Sequence, residues 1–217
     1  MSPARSLKIL ARVLAPATAL AALLVLAACS GLPGNGPAPD IYTLSPKSTF
    51  EAQAPRVDSQ LALAMPTTSR ALDTDRIALR PEPLEYRYYK GVRWTGHLPA
   101  MVQTLLLESF ENTGLITAVG RDSSILRADY LLLADIREFQ IDDFGPSAPR
   151  ANVRIVLKLV RQPASRIVDS RSFEAEVPFT RNGMTGIVGG FDQALGKVLK
   201  KGVPWALENI AQDAAAR

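Results

Sequence analysis

Alternation of apolar and polar residues dominates the second half of the chain. Val153, Ile155, Leu157 and Leu159 take every second place between Asn152, Arg154, Val156 and Lys158, which predicts a strand with one buried face. Phe173, Ala175 and Val177 alternate with Ser172, Glu174 and Glu176, and this run is expected to be its hairpin partner. Tyr130, Leu132, Ala134 and Ile136 predict a strand before them. Upstream, Leu61, Leu63 and Met65 alternate with Ala62 and Ala64 up to Pro66, the pattern of a strand covered on both faces. Arg76–Leu79 and Leu84–Tyr89 flank Arg80-Pro81-Glu82-Pro83 and read as a hairpin. Ile41–Leu44 reads as a first strand and Ser45–Ser59 as a loop.

Two segments change to helical spacing. Leu98, Met101, Val102, Leu105, Leu106 and Phe110 form one face of a helix expected from His97 to Asn112, with Pro99 in its opening turn and Gly114 as its stop. Ile187, Phe191, Leu195, Val198 and Trp205 do the same from Thr185 to Gln212, where Pro204 is expected to kink or split the helix. Asn182-Gly183 marks a turn before it. The sum is an α+β fold, a single domain with a mainly antiparallel or mixed sheet and two principal helices packed on one face.

The first residues follow another logic. Arg5, Lys8 and Arg12 precede an apolar run from Val13 to Ala28, and no acid occurs before Cys29. That is a signal-peptide layout, shorter than the roughly 20 apolar residues of a spanning helix. Leu26-Ala27-Ala28-Cys29 resembles the bacterial lipobox, so cleavage is expected between Ala28 and Cys29, with lipidation of Cys29. An uncleaved anchor with a buried cysteine is the competing reading. Three of the four net positive charges would leave with the cleaved segment, so the mature chain is close to neutral at +1 and nucleic-acid binding is not indicated. The expected division is 1–28 signal peptide, 29–40 lipidated flexible tether rich in Gly and Pro, and 41–217 folded domain.

Candidate chemistry is sparse. The single histidine, His97, opens a predicted helix beside Leu98 and Pro99, a poor place for a general base. One histidine and one cysteine cannot supply the usual zinc set, and no disulfide can form within one copy. Asp142-Asp143 followed by Phe144-Gly145-Pro146 reads as a polar turn without EF-hand spacing. Gly186, Gly189 and Gly190 fit close helix-to-sheet packing better than phosphate binding, since no dinucleotide fingerprint surrounds them. The one dense aromatic and basic stretch is Tyr86-Arg87-Tyr88-Tyr89-Lys90-Gly91-Val92-Arg93-Trp94. Such residues favour protein interfaces, and Arg87, Tyr89, Lys90 and Trp94 are the candidate partner surface. Tyr86 and Tyr88 are expected to share the core face, with Trp94 capping the first helix.

In order along the chain, Tyr42-Thr43-Leu44, Leu61–Pro66, Leu72-Asp73-Thr74-Asp75-Arg76-Ile77, Trp94 with Leu98, Leu105–Phe110, Ala128-Asp129-Tyr130-Leu131-Leu132, Phe173, Phe191, Ala194-Leu195 and Trp205 resemble the ABC-type transport auxiliary lipoproteins, the PqiC-like, DUF330-type family. The likeness covers nearly the whole mature chain. It implies a non-catalytic accessory subunit without cofactors, partnered with a mammalian-cell-entry (MCE) domain protein and, through it, an ABC permease and ATPase, moving lipids or other hydrophobic compounds across the envelope. Ser30 after the lipid cysteine implies delivery to the outer membrane, facing the periplasm. Thr95 and Gly96 follow Trp94 where relatives often carry a charge, so no charge-based contact is assigned there. The alternative is a stand-alone lipid-binding carrier with an acyl pocket between sheet and helices. Homo-oligomer formation is left open. A hydrolase lacks the histidine constellation it would need.

Overall fold

In a computed structural model, residues 37–50, 54–124 and 127–216 are described; Ala28, Cys29 and the tether up to residue 36 lie outside them. The folded unit runs from Pro39 onward.

Its frame is a meander of three long antiparallel strands, β7 (Tyr130–Asp142), β8 (Arg150–Arg161) and β9 (Arg166–Pro178). The alternation in β8 has its expected result. Ala151, Val153, Ile155, Leu157 and Leu159 are buried, whereas Arg154, Val156 and Lys158 are half-buried on the other face. The far edge of β7 is shared out along its length. Its start pairs in parallel with β2 (Val57–Leu63), its middle with the two-residue β3 (Thr67–Thr68), and its end with β4 (Arg76–Glu82). Beyond β2 lies β6 (Ile116–Arg121); beyond β4 lie β5 (Glu85–Trp94) and then β1 (Asp40–Tyr42). The sheet is therefore mixed, with its longest ladders antiparallel.

Helices α1 (Leu98–Thr113) and α2 (Met184–Ala215) cover one face. Pro99 stands in the first turn of α1, and Gly114 ends it in the left-handed conformation, φ 62°, its N–H donating to Glu111 O. Buried Gln103 ties α1 to the sheet, since Nε2 donates to Leu63 O at 3.0 Å and Oε1 accepts from Arg121 Nε at 3.2 Å. The entering chain is held by α2, where Asp192 Oδ1 accepts from Ser45 N at 2.7 Å. At the centre, Phe139 and Phe191 stack with centroids 5.0 Å apart, and Trp94 meets Phe191 edge-on at 5.2 Å.

Several boundaries differ from the sequence reading. Strand β2 begins at Val57, inside the expected loop, and ends at Leu63, leaving Met65 51% exposed. The β4–β5 turn falls at Pro83-Leu84, because β4 continues through Pro81 with a register shift where the proline lacks a ladder N–H. Strand β6 was not anticipated. Pro204 does not split α2: the lost bond and ring clash, about 3 kcal/mol, are outweighed by burial of Leu199, Val203, Trp205, Ala206 and Leu207 around it.

Candidate functional site

The aromatic and basic stretch forms β5, and its hairpin tip projects Leu84, which is 100% exposed. Arg87 and Lys90 are exposed as expected, with Arg87 Nε donating to Glu85 Oε1 at 2.6 Å. A surface pair of this kind contributes about 0–1 kcal/mol, so holding the fold together does not account for the charge. Tyr89 is half-buried, and its hydroxyl pKa is raised, by burial first and by the nearby Asp143 carboxylate second.

Trp94 parts company with these three. It is 3% exposed, packed edge-on against Phe139 and Phe191, and offers no surface to a partner; nor does it cap α1. The cause lies in Gly91, whose φ of 70° sits in a register shift between the Arg76–Arg93 and Ala78–Tyr88 pairs and turns Val92 and Trp94 inward. Tyr86 and Tyr88, two residues apart on β5, differ in depth. Tyr86 is 37% exposed, whereas half-buried Tyr88 donates its hydroxyl to Ala71 O at 2.9 Å beneath the Arg76 guanidinium.

A second constellation escaped the sequence reading. A register shift in β7 between Ile136 and Glu138 reverses the alternation, so Phe139 and Ile141 join the core while Glu138, Gln140 and Asp142 lie on the face away from the helices. Arg80 of β4 grips Asp142 in a two-pronged bond, Nε to Oδ1 at 2.8 Å and Nη2 to Oδ2 at 2.9 Å. That bond, ahead of the neighbouring charge, raises the guanidinium pKa further. Arg154 Nη2 donates to Glu138 Oε1 at 2.7 Å and Arg150 Nη1 to Glu176 Oε2 at 2.9 Å. Asp142 is thus the last residue of a strand and a network partner, where the sequence suggested a turn. Its neighbour Asp143 is bound by Arg181.

A third cluster ties the end of α2 to the sheet. Asp213 accepts from the buried Tyr130 hydroxyl at 2.9 Å and from Arg166 Nη2 at 2.7 Å, with Arg161 Nη1 at 3.2 Å. Burial alone would raise the Asp213 carboxyl, but Tyr130, Arg166 and Arg161 together hold it below the ordinary carboxylate range.

His97 is exposed, with Nδ1 3.5 Å from Asp73 Oδ1 at the surface. Among the described residues, no group of three or more His, Cys, Asp or Glu side chains could hold a metal ion. A Cβ at Gly190 would lie 3.2 Å from Ala151 Cβ and 2.9 Å from Phe179 Cδ1, which makes this glycine a packing residue. Between sheet and helices, Phe110, Phe139, Phe191, Leu195 and Leu207 are buried. Among the described residues, no helix is long and apolar enough to cross a membrane.

Comparison with known proteins agrees with the fold. Residues 42–201 match the family described as ABC-type transport auxiliary lipoprotein component. The crystal structure of XCC0632 from Xanthomonas campestris, a DUF330 protein, is 34% identical, with a TM-score of 0.76 over 81% of this chain and 98% of that one. CT253, a hypothetical protein of Chlamydia trachomatis, shares the fold alone, at 7% identity and TM-score 0.51 over 72% and 99%. The uncharacterised protein bll6063 of Bradyrhizobium diazoefficiens is 29% identical over 185 residues, 84% of this chain. The chain spans about half, 49%, of the length of that curated relative.

Proposed function

The chain belongs to the ABC-type transport auxiliary lipoprotein component family, and from that membership we propose that it is the non-catalytic, lipid-anchored subunit of an MCE-protein and ABC-transporter system that moves lipids or other hydrophobic compounds across the cell envelope. Cys29, freed after Ala28, carries the acyl chains. At about 0.8 kcal/mol per buried CH₂, two or three chains make the anchorage effectively permanent. Ser30 directs the lipoprotein to the outer membrane, with the folded unit facing the periplasm. ATP hydrolysis belongs to the transporter; the contribution of this chain is attachment and docking.

The family match over most of the folded unit is the observation that carries this reading. The surface best suited to the MCE partner is the β4–β5 hairpin. Tyr89 and Arg87 are of the types enriched at interface centres, with Leu84 supplying exposed apolar area at the tip and Lys90 a charge suited to the polar rim.

Co-purification tests the partnership. Tagged full-length chain, extracted from membranes in mild detergent, is expected to retain an MCE-domain protein. Repeated recovery of the chain without one, together with unrelated envelope phenotypes when either gene is deleted, would refute it.

A further inference from the structure

Strand β9 closes one side of the sheet and pairs with β8 alone. Its hydrogen bonds show which backbone groups face outward. Phe179 N–H donates to Pro149 O at 3.1 Å, one place beyond the Arg150–Pro178 pair, so from Phe179 back to Asp169 the odd-numbered residues turn N–H and C=O toward β8. The other side of β8 agrees: Gln162 N–H donates to Asp129 O, which turns the even-numbered residues of β8 toward β7 and leaves the odd ones for β9. Ser172, Glu174 and Glu176 therefore present N–H and C=O to the open side. The edge is closed at both ends. Ser170 N–H is taken by Asp169 Oδ1 at 2.8 Å beside a register shift, and Pro178 has no N–H. Between these ends, the N–H groups of Ser172, Glu174 and Glu176 have no acceptor among the described residues. Such a row is a template for one more strand.

The side chains along the edge select its guest. Ser172, Glu174 and Glu176 are exposed on the face away from the helices. Glu176 is held by Arg150, but Arg154, the cross-strand neighbour of Glu174, turns to Glu138 instead. Glu174 is left with no ion pair among the described residues. On the helix side Phe173, Ala175 and Val177 are buried, and Phe173 packs against Trp205 of α2. The charged group on that side is Arg171, opposite the buried Leu157. An added strand is thus best matched with Lys or Arg beside Glu174 and apolar residues toward the helices. A second copy is poorly matched. Two β9 strands paired antiparallel about the middle of the open stretch set Glu174 against Glu174, and like charges directly opposite are destabilising.

We propose that the edge of β9 from Ser172 to Glu176 accepts an extended segment of another polypeptide as an added antiparallel strand, its basic residues beside Glu174 and its apolar residues on the helix side. Strands β4, β7 and β8 stand between β5 and β9, so this edge is separate from the surface assigned to the MCE partner. A chain that fails to take the strand yet retains its MCE partner sinks this inference alone.

The probe is a blocked, fluorescently labelled peptide alternating lysine with valine, titrated by anisotropy into the full-length chain in mild uncharged detergent. Saturable binding at one site is expected. The same peptide with glutamate for lysine is expected to bind at least about tenfold more weakly, as is the lysine peptide to Glu174→Pro, which loses one outward N–H and the carboxylate. No bond to β8 is lost in that variant, and an edge strand tolerates proline where the N–H faces solvent. A thermal melt close to that of the parent shows that it is folded. Glu174→Lys, which keeps every backbone group, is expected to reverse the preference between the two peptides. The proposal is overturned if the lysine peptide does not bind, if the glutamate peptide binds the parent equally well, if folded Glu174→Pro binds like the parent, or if Glu174→Lys keeps the parent's preference. Self-association of the parent that Glu174→Pro abolishes, read by light scattering, would give the edge to a second copy and overturn it as well.

Discussion

Two adjacent glycines in α2 offer a controlled test of how that helix meets the sheet. Both lie inside the helix, so Gly→Ala removes the same backbone penalty at each, about 0.8–1.0 kcal/mol. A Cβ at Gly189 meets nothing within 4 Å, and the gain should survive intact. At roughly 2–4 °C per kcal/mol for a domain of this size, Gly189→Ala should raise Tm by about 2–4 °C. At Gly190 the new methyl would stand 3.2 Å from Ala151 Cβ, which is fixed to the β8 backbone, and 2.9 Å from Phe179 Cδ1, whose ring can swing aside. Overpacking of this kind costs about 1–3 kcal/mol. Gly190→Ala should therefore be neutral to about 2 kcal/mol destabilising, and the two variants should differ by about 2–12 °C. Calorimetric melts of the full-length chain, with urea unfolding for the free-energy difference, read both numbers. Equal stabilisation by the two substitutions would mean that α2 does not rest on Ala151 and Phe179.

The core and the surface respond differently to other changes. Phe191→Ala removes the ring between Trp94 and Phe139 and should cost about 3–5 kcal/mol; a cost below about 1 kcal/mol in urea would contradict the central aromatic packing. Because Asp213 is held below the ordinary carboxylate range, its stabilisation should be complete above about pH 4 and lost as pH falls through the folded value. Asp213→Asn should then cost about 1–3 kcal/mol at pH 7, with the gap to the parent closing on acidification in urea titrations; a constant gap from pH 7 to 3 would count against the network. Leu84→Glu, at a fully exposed tip, should change stability by no more than about 0.5 kcal/mol yet weaken retention of the MCE partner in pull-downs. Cys29→Ala should accumulate as a folded precursor that takes up no labelled palmitate, and normal labelling would exclude lipidation at that residue.

What was readable in the sequence follows from how evenly each strand is buried. β8 and β9 have one face on α2 and one toward solvent along most of their length, so period-two spacing survives in the residues. β6 carries Ile116-Thr117-Ala118-Val119-Gly120-Arg121 at the sheet edge, mostly half-buried, and has no alternation to read. The start of β2 was hidden because buried Ser59 occupies an inward position where an apolar residue was expected. The register shifts in β5 and β7 explain the errors at the site. Each reverses facing within one strand, at Gly91 and between Ile136 and Glu138, so Trp94 moved into the core and Glu138, Gln140 and Asp142 moved onto the polar face. The exposed basic residues of β5 were legible because no such reversal separates Arg87 from the hairpin tip.

Docking through β5 is tested most directly by a photo-crosslinking amino acid placed at Arg87 of the full-length lipoprotein in living cells, with the same residue at exposed Glu174 on β9 as control. Mass spectrometry of the crosslinked bands is expected to identify an MCE-domain protein from position 87 and not from position 174. Absence of that protein at position 87, or equal capture from both positions, would contradict the docking surface.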